Sequence, residues 1–225
     1  NPEAQARFEN LWGTNLDPNP GLTVVEIMEA ITEGNIQGLY VEGENPAMSD
    51  PNLNHARHAL ASLKHLVVQD IFMTETALFA DVILPASAFP EKDGTFTNTD
   101  RRVQLGRQAV QPPGQAKQDL WIIQELAKRL GLDWQYSGPS DVFAEMRKGM
   151  DSIKGMSWER LEKDHSVTYP CETDDDPGQG IIFVEDFPTE SGRAKIVPAA
   201  FTNADELPNE EFDFNKGINV TGTIT

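Results

Sequence analysis

An alternation of helical and strand-like segments over residues 23–85 constrains the fold more than any other feature of the sequence. Residues 23–33 predict a helix, because apolar side chains recur there with the spacing of one helix face. Thr23 and Glu26 form the pattern of a capping box at its start. The short apolar run of residues 38–41 is bounded by glycine and predicts a strand.

The same order of elements then repeats twice. Residues 52–63 are predicted to form a helix, and residues 66–70 a buried strand. Residues 74–80 are predicted to form a short helix with Thr74 as its N-cap, and residues 81–85 a third strand. Short apolar strands that alternate with helices predict an α/β fold, in which helices cover both faces of a parallel sheet.

Beyond residue 85 the predicted elements are less regularly spaced. They are a strand at residues 102–105, helices at 118–130, 139–149 and 157–163, and two pairing strands at 181–184 and 194–197. The predicted inward side chains of the helix at 118–130 are Leu120, Ile123, Leu126, Ala127 and Leu130. The helices at 139–149 and 157–163 are predicted to be capped by Ser140 and Ser157. We expect residues 1–22 to be a connecting loop, residues 23–165 the folded domain, and residues 166–225 an irregular acidic extension.

Charge and cysteine content exclude several classes of protein. The 225 residues contain 18 Lys+Arg and 36 Asp+Glu, a formal net charge of −18, which argues against nucleic acid and anionic membranes as partners. No apolar run approaches the roughly 20 residues of a membrane span, so we expect no membrane insertion. A single cysteine, Cys171, excludes an intrachain disulfide and any zinc site with two or more cysteine ligands.

Polar residues that suit a nucleotide follow each predicted strand, where ligands bind in open α/β sheets. They are Gly43, Glu44 and Asn45 after the first strand, Gln69, Asp70 and Thr74 around the end of the second, and Lys92 and Gly94 in the loop after the third. A carboxylate such as Asp70 can accept hydrogen bonds from a ribose diol or a guanine edge. A helix that begins at Thr74 would present free N–H groups to a phosphate. The alternative, that these side chains only cap helices or face solvent, stays open.

Other kinds of chemistry lack their usual patterns. The sequence contains no Gly-x-Gly-x-x-Gly after a strand, no Walker loop and no Gly-x-Ser-x-Gly elbow. His55 and His58 share a helix face without a further ligand at metal-binding spacing, and Cys171 lies in an acidic stretch that disfavours its thiolate. We therefore predict no catalytic residue and no metal ligand in this chain.

Residues 38–134 resemble the molybdopterin oxidoreductases, and most of all the catalytic alpha subunits of formate dehydrogenases. The resemblance is carried by GLYVEGENPAMSDPN, by LVVQDIFMTETALFADVILPASAFPEKDGTFTNTDRRVQ and by KQDLWIIQELAKRLG. It implies a Rossmann-like, three-layer α/β domain with a mostly parallel sheet, followed by a loop-rich, mixed C-terminal extension. Such a domain binds the guanosine end of a molybdopterin guanine dinucleotide, in an enzyme that carries two of these groups on molybdenum or tungsten.

The family's cofactor contacts fall on residues that mostly coincide with the strand ends. By resemblance they are Gly43, Glu44, Asn45, Gln69, Asp70, Thr74, Lys92 and Asp119, to which the strand-end argument adds Gly94 as a close backbone approach. Asp70 and Asp119 are expected to read the ribose or the guanine. Lys92 and Thr74 are expected near the phosphates or the sugar.

The resemblance also implies a larger protein around this chain. The parent enzyme would oxidise formate to CO2 in the cytoplasm and pass electrons through iron–sulfur clusters, whose cysteines are expected outside these residues. The remaining domains of the same subunit and electron-transfer subunits are the expected partners, and the chain alone is expected to be inactive. Two alternatives remain. The same domain could belong to a nitrate reductase or respiratory-complex relative, or the chain could be a non-catalytic α/β interaction module.

Overall fold

The computed structural model describes residues 2–198, which fall into two compact units. The parallel-sheet unit consists of residues 17–92 and 108–135. The antiparallel-sheet unit consists, within the described range, of residues 2–16, 93–107 and 136–198. Both units are built from segments that alternate along the chain. The predicted domain boundaries at residues 23 and 166 stay predictions, because a compact unit is not by itself a separately folding domain.

In the parallel-sheet unit, three strands pair in the order β1-β2-β3, all parallel. The strands are β1 Gly38–Glu42, β2 His65–Asp70 and β3 Val82–Pro85. The helices are α2 Val24–Thr32, α3 Pro46–Ser49, α4 Leu53–Ser62 and α5 Asp119–Arg129. This arrangement confirms the predicted α/β fold, since the connections from β1 to β2 and from β2 to β3 each return the chain to the same edge of the sheet.

Local signals and packing agree in helix α2. The Thr23 hydroxyl accepts a hydrogen bond from the Glu26 N–H, and the Glu26 carboxylate accepts one from the Thr23 N–H, so the predicted capping box is confirmed. Met28 and Ile31 of α2 are buried against Ala56 of α4. A second cluster packs the sheet itself, with Val41, Leu60, Leu66 and Val68 among its members.

The antiparallel-sheet unit joins three short strands to three helices. The strands are β4 Gly94–Thr97, β5 Arg102–Gly106 and β6 Ser166–Thr168. The helices are α1 Pro2–Trp12, α6 Pro139–Gly149 and α7 Trp158–Asp164. Its core contains Val103, Phe143, Met156, Leu161 and Cys171, all of them buried. None of the helices in residues 2–198 is long and apolar enough to cross a membrane.

Helix α1 corrects the prediction that residues 1–22 are a connecting loop. Its side chains bind α6 and the turn after it: the Arg7 guanidinium donates to the Gly149 carbonyl at 3.2 Å and pairs with Asp151 at 2.8 Å. The Trp12 indole donates to Glu145 at 3.0 Å. These partners lie more than 130 residues away in the sequence, so no local pattern predicts them.

Three further predictions are wrong in detail. Residues 74–80 contain only a single 3-10 turn, Ala77–Phe79, and no α-helix. Helix α5 buries Ile122 and Ala127, whereas Leu130, its C-cap residue, is 79% exposed beyond the last turn. Helix α6 is capped at Gly138 and not at Ser140, because Pro139 takes the first helical position.

The predicted strands at residues 181–184 and 194–197 are also absent from the described part of the chain. Their apolar side chains have no sheet to pack on, as the exposures of Ile181 (78%) and Ile196 (90%) indicate. Residues 199–225 of the predicted acidic extension lie outside the described residues.

Candidate functional site

A buried glutamine joins the carboxyl ends of β1 and β2 to the start of α5. Gln69 is 1% exposed and lies opposite Glu42 in the strand pairing. Its side-chain N–H groups donate to Glu42 Oε1 at 3.0 Å and to Asp119 Oδ1 at 2.7 Å, while its carbonyl oxygen accepts from the Tyr40 hydroxyl. Together with Lys92, these side chains form the Gln69 network.

Lys92 completes the Gln69 network and supplies its ammonium group. Its ammonium pairs with Asp119 Oδ2 and donates to the Ser87 carbonyl at 3.0 Å. Both oxygens of Asp119 therefore hold a donor, one from Gln69 and one from Lys92. The Ser87 hydroxyl is buried, and no hydrogen-bond partner reaches it within the described residues.

The Gln69 network holds two carboxylates but one ammonium. Burial, and then the neighbouring Asp119 charge, raise the pKa of Glu42, although Lys92 and the Gln69 amide act in the opposite direction. Burial, followed by the Glu42 and Asp119 charges, raises the pKa of Tyr40. An excess of negative charge at this edge favours a ligand that brings hydrogen-bond donors.

We expect Glu42→Gln to raise the free energy of unfolding near pH 7 by less than about 1 kcal/mol, because Glu42 is largely exposed and solvent screens its repulsion from Asp119. Because the folded-state pKa of Glu42 lies above its ordinary value of 4.5, the native state binds this proton more tightly than the unfolded state. Wild-type stability therefore falls as the pH rises through that window, and the variant avoids this loss. Urea denaturation near pH 7 and at about pH 4 should show the gain at the higher pH only.

The control for this measurement is Glu29→Gln, which removes the same charge from an exposed position on α2. It should show no comparable difference between the two pH values. A gain for Glu42→Gln that is equal at both pH values, or a loss near neutral pH, would contradict the placement of Glu42 beside Asp119.

The turn after β1 contains three of the predicted site residues. Gly43 adopts a φ of +63°, in the left-handed region that favours glycine, and its N–H donates to the Gln69 carbonyl at 2.9 Å. Glu44 is exposed. Asn45 Oδ1 accepts from the Thr76 N–H at 3.1 Å and from its hydroxyl at 2.8 Å. The Asn45 side chain therefore holds the turn in place, and its cofactor contact stays a prediction.

The other predicted site residues differ in how many of their polar atoms remain free to contact a ligand. Asp70 ends β2, and its Oδ1 accepts from the Ile71 N–H at 2.6 Å. Thr74 Oγ1 accepts from the Ala77 N–H at 3.3 Å, at the start of the single 3-10 turn, although the N-cap residue of that turn is Thr76. This turn is too short to offer the phosphate-binding N–H groups expected of a helix. Gly94 begins β4 in the antiparallel-sheet unit.

The structure thus brings together Gln69 and Lys92, which the strand-end argument names, and Asp119, which only the family resemblance names. Sequence reasoning missed Tyr40 and Glu42. A signal for both exists, since residues at i and i+2 of a strand share a face and paired residues of neighbouring parallel strands share it too. The network can position acceptors for a ligand rich in N–H and O–H donors. Among residues 2–198, no three His, Cys, Asp or Glu side chains cluster as metal ligands.

A separate cleft of about 540 Å³ lies between the end of β3 and α5. Its lining includes Leu84, Pro85, Trp121 and Leu126, with Glu125 already paired to two basic side chains of its own helix. The cleft shares no residue with the Gln69 network, and its lining is mostly apolar.

Comparison with known proteins shows which family this chain resembles. A family model described as molybdopterin oxidoreductase matches residues 5–129. The F420-dependent formate dehydrogenase subunit alpha of Methanocaldococcus jannaschii is 46% identical over 219 residues, which are 96% of this chain and 32% of that protein. The F420-dependent formate dehydrogenase 2 subunit alpha of Methanococcus maripaludis is 44% identical over 225 residues, covering 99% of this chain and 32% of that protein. The chain spans about a third of the length of these relatives.

A likeness also exists among solved structures. Acetylene hydratase from Pelobacter acetylenicus matches 84% of this chain and 26% of its own, with a TM-score of 0.55 and 23% identity. At this identity the likeness establishes the fold alone. The sequence comparisons, together with this shared fold, confirm the predicted family resemblance.

Proposed function

Because the chain belongs to the molybdopterin oxidoreductase family, we propose that it holds the guanosine end of a molybdopterin guanine dinucleotide in a formate dehydrogenase-type catalytic subunit. The Gln69 network is the observation that carries this proposal. It gathers hydrogen-bond acceptors at the carboxyl edge of a parallel sheet, which is where nucleotides bind in open α/β folds. The relatives named as formate dehydrogenase alpha subunits support the enzyme type.

The donor and acceptor set fits a nucleoside better than it fits a pyrophosphate. Guanine presents two neighbouring N–H donors and ribose presents hydroxyls, and the carboxylates of Glu42 and Asp70 are acceptors at the strand ends. Phosphates require cations or free N–H groups. The Lys92 ammonium is committed to Asp119, and Thr74 begins no helix. We therefore propose that Lys92 acts by positioning Asp119.

The chain's own contribution is binding and orientation. When bound, the cofactor supplies two-electron redox chemistry at its metal, and the protein supplies its placement. Gly43 lets the backbone turn sharply beside the network, and Gln69 fixes the directions of two carboxylates. Glu44 and Asp70 are the exposed or part-exposed groups proposed to contact the nucleoside.

We propose that the whole protein oxidises formate to CO2, which releases one proton and two electrons. Iron–sulfur clusters would carry these electrons onward. With one cysteine, these 225 residues cannot supply the four thiolates of a typical cluster, so the clusters would be ligated by other parts of the subunit or by its partners.

Calorimetric titration of the folded chain with GMP and AMP tests the nucleotide proposal. We expect GMP to bind and AMP to bind more weakly, since adenine has no pair of neighbouring donors for a carboxylate. Absence of GMP binding at millimolar ligand, in a sample with a cooperative unfolding transition, would remove the basis of the proposal.

Asp70→Ala is expected to lower GMP affinity by about tenfold and stability by less than about 1 kcal/mol. Its stability effect is small because the carboxylate contacts only the adjacent Ile71 N–H among the described residues. Asp50→Ala is the matched control, since Asp50 Oδ1 accepts from the Asn52 N–H at 2.9 Å in the same unit. If Asp70→Ala unfolds the chain instead, Asp70 has a structural role.

A further inference from the structure

The cleft between the end of β3 and α5 has the dimensions of a small-molecule site. Its volume of about 540 Å³ falls within the range of roughly 300–1,000 Å³ that ligand pockets occupy, and its lining lies wholly in the parallel-sheet unit. Backbone hydrogen bonds join its two sides. The Lys117 N–H donates to the Pro85 carbonyl at 3.0 Å, and the Ser87 N–H donates to the Lys117 carbonyl at 2.9 Å. The fold therefore forms this cleft before any ligand binds.

The lining of the cleft combines aliphatic side chains with one aromatic ring. Leu84, Ile122 and Leu126 supply the aliphatic surface. Trp121, in the first turn of α5, keeps 49% of its surface exposed, and its indole N–H has no acceptor within the described residues. A flat apolar ligand can contact the indole ring and cover the aliphatic side chains at the same time.

The charges around the cleft do not balance. Glu125 accepts from Lys128 at 3.0 Å and from Arg129 at 2.8 Å, so its carboxylate is already neutralised. The Lys117 ammonium lies 5.5 Å from the centroid of the Trp121 ring, and among residues 2–198 it pairs with no carboxylate. A cation without a counter-ion therefore stands beside the aromatic side of the cleft, in a chain whose net charge is −18. This arrangement is complementary to an anion and not to a second cation.

We propose that this cleft binds a small, flat aromatic carboxylate, whose ring packs on Trp121 and the aliphatic side chains and whose carboxylate pairs with Lys117. The Lys117 ammonium matches one negative charge. The aliphatic lining offers no partners to the polar groups of a sugar, whose burial there would be unfavourable. The cleft shares no residue with the Gln69 network, so this inference goes beyond the proposed nucleotide function and does not rest on it.

Calorimetric titration of the folded chain with three matched ligands tests this assignment. The first, 2-naphthoate, has both the flat ring and the charge. The second, 2-naphthamide, lacks the charge, and the third, decahydro-2-naphthoate, keeps the charge on a saturated, puckered ring. We expect 2-naphthoate to bind about fivefold more tightly than either of the others, because each of them lacks one of the two contacts.

Two substitutions in the cleft separate these contacts. Lys117→Met should weaken 2-naphthoate by about fivefold and leave 2-naphthamide unchanged, because only the first ligand carries the charge. Trp121→Leu should weaken both naphthalene ligands by about fivefold and remove the preference over decahydro-2-naphthoate. Lys64→Met and Trp134→Leu are the matched controls, since both residues are exposed in the same unit and outside the cleft. They should leave all three affinities unchanged.

Four results would overturn the assignment. The first is that no ligand binds at millimolar concentration to a chain that unfolds cooperatively in urea. The second is that 2-naphthoate binds equally well to the Trp121→Leu variant, which would place the anion outside the cleft. The third is that 2-naphthamide binds as tightly as 2-naphthoate, which would mean that Lys117 selects no charge. The fourth is that GMP displaces 2-naphthoate, which would place the anion in the Gln69 network. If 2-naphthoate binds as expected and GMP does not bind at all, the proposed nucleotide function fails alone.

Discussion

Replacing Gln69 with leucine is expected to lower the free energy of unfolding by about 2–4 kcal/mol and to abolish detectable guanine nucleotide binding. Leucine is close to glutamine in size, so the loss does not come from packing. It comes from the buried amide, which donates to Glu42 and Asp119 and accepts from Tyr40. Without it the Tyr40 hydroxyl loses its acceptor, and the two carboxylates lose the donor that separates them.

Urea denaturation and GMP titration of the same samples measure both effects. Gln37→Leu is the matched control, because Gln37 is exposed just before β1 and makes the same chemical change outside the network. It should leave stability within about 0.5 kcal/mol and binding unchanged. If Gln69→Leu behaves like this control, the buried amide neither stabilises the sheet edge nor positions the carboxylates.

The parallel sheet could be predicted from the sequence because its signals are local. Strand β2 is a short apolar run between polar turns, and α2 carries both its apolar stripe and its capping box within a dozen residues. Such signals do not depend on distant parts of the chain. Helix α1 was instead predicted to be part of a connecting loop, because its contacts to Glu145 and Gly149 exist only after the chain has folded.

The candidate site was predictable in position but not in detail. Strand ends are visible in the sequence, so Gln69 and its neighbours could be named. The sequence pattern does not reveal which polar side chains make their hydrogen bonds within the fold itself. Asn45 and Thr74 satisfy backbone and hydroxyl groups of nearby turns, while the paired register of β1 and β2 places the unpredicted Glu42 against Gln69. Distinguishing these roles requires the hydrogen-bond partners of each atom.

Gly155→Ala is expected to destabilise the antiparallel-sheet unit by about 3 kcal/mol or more. A Cβ atom at this position would lie 2.0 Å from the Thr173 carbonyl oxygen and 2.4 Å from its carbon. These are backbone atoms, so no side-chain rotation relieves the clash. Gly155 also donates to the Cys171 carbonyl at 2.9 Å and accepts from the Arg160 guanidinium at 3.0 Å. The segment that holds Thr173 would have to move, and these bonds would break with it.

Gly180→Ala provides the control for this change in the same unit. A Cβ there meets no atom within 4 Å, so the variant should unfold at nearly the wild-type urea concentration. Far-UV circular dichroism across a urea series compares the two, and Arg160→Met separates the causes. Arg160 also donates to the Asp176 carbonyl at 2.6 Å, so its loss frees this segment without adding an atom. If Gly155→Ala is no worse than Gly180→Ala, the close backbone approach does not limit stability. If Gly155→Ala destabilises the unit as much as Arg160→Met does, the lost stability comes from the broken hydrogen bonds. If Gly155→Ala destabilises the unit more, the difference is the steric contribution of the added Cβ.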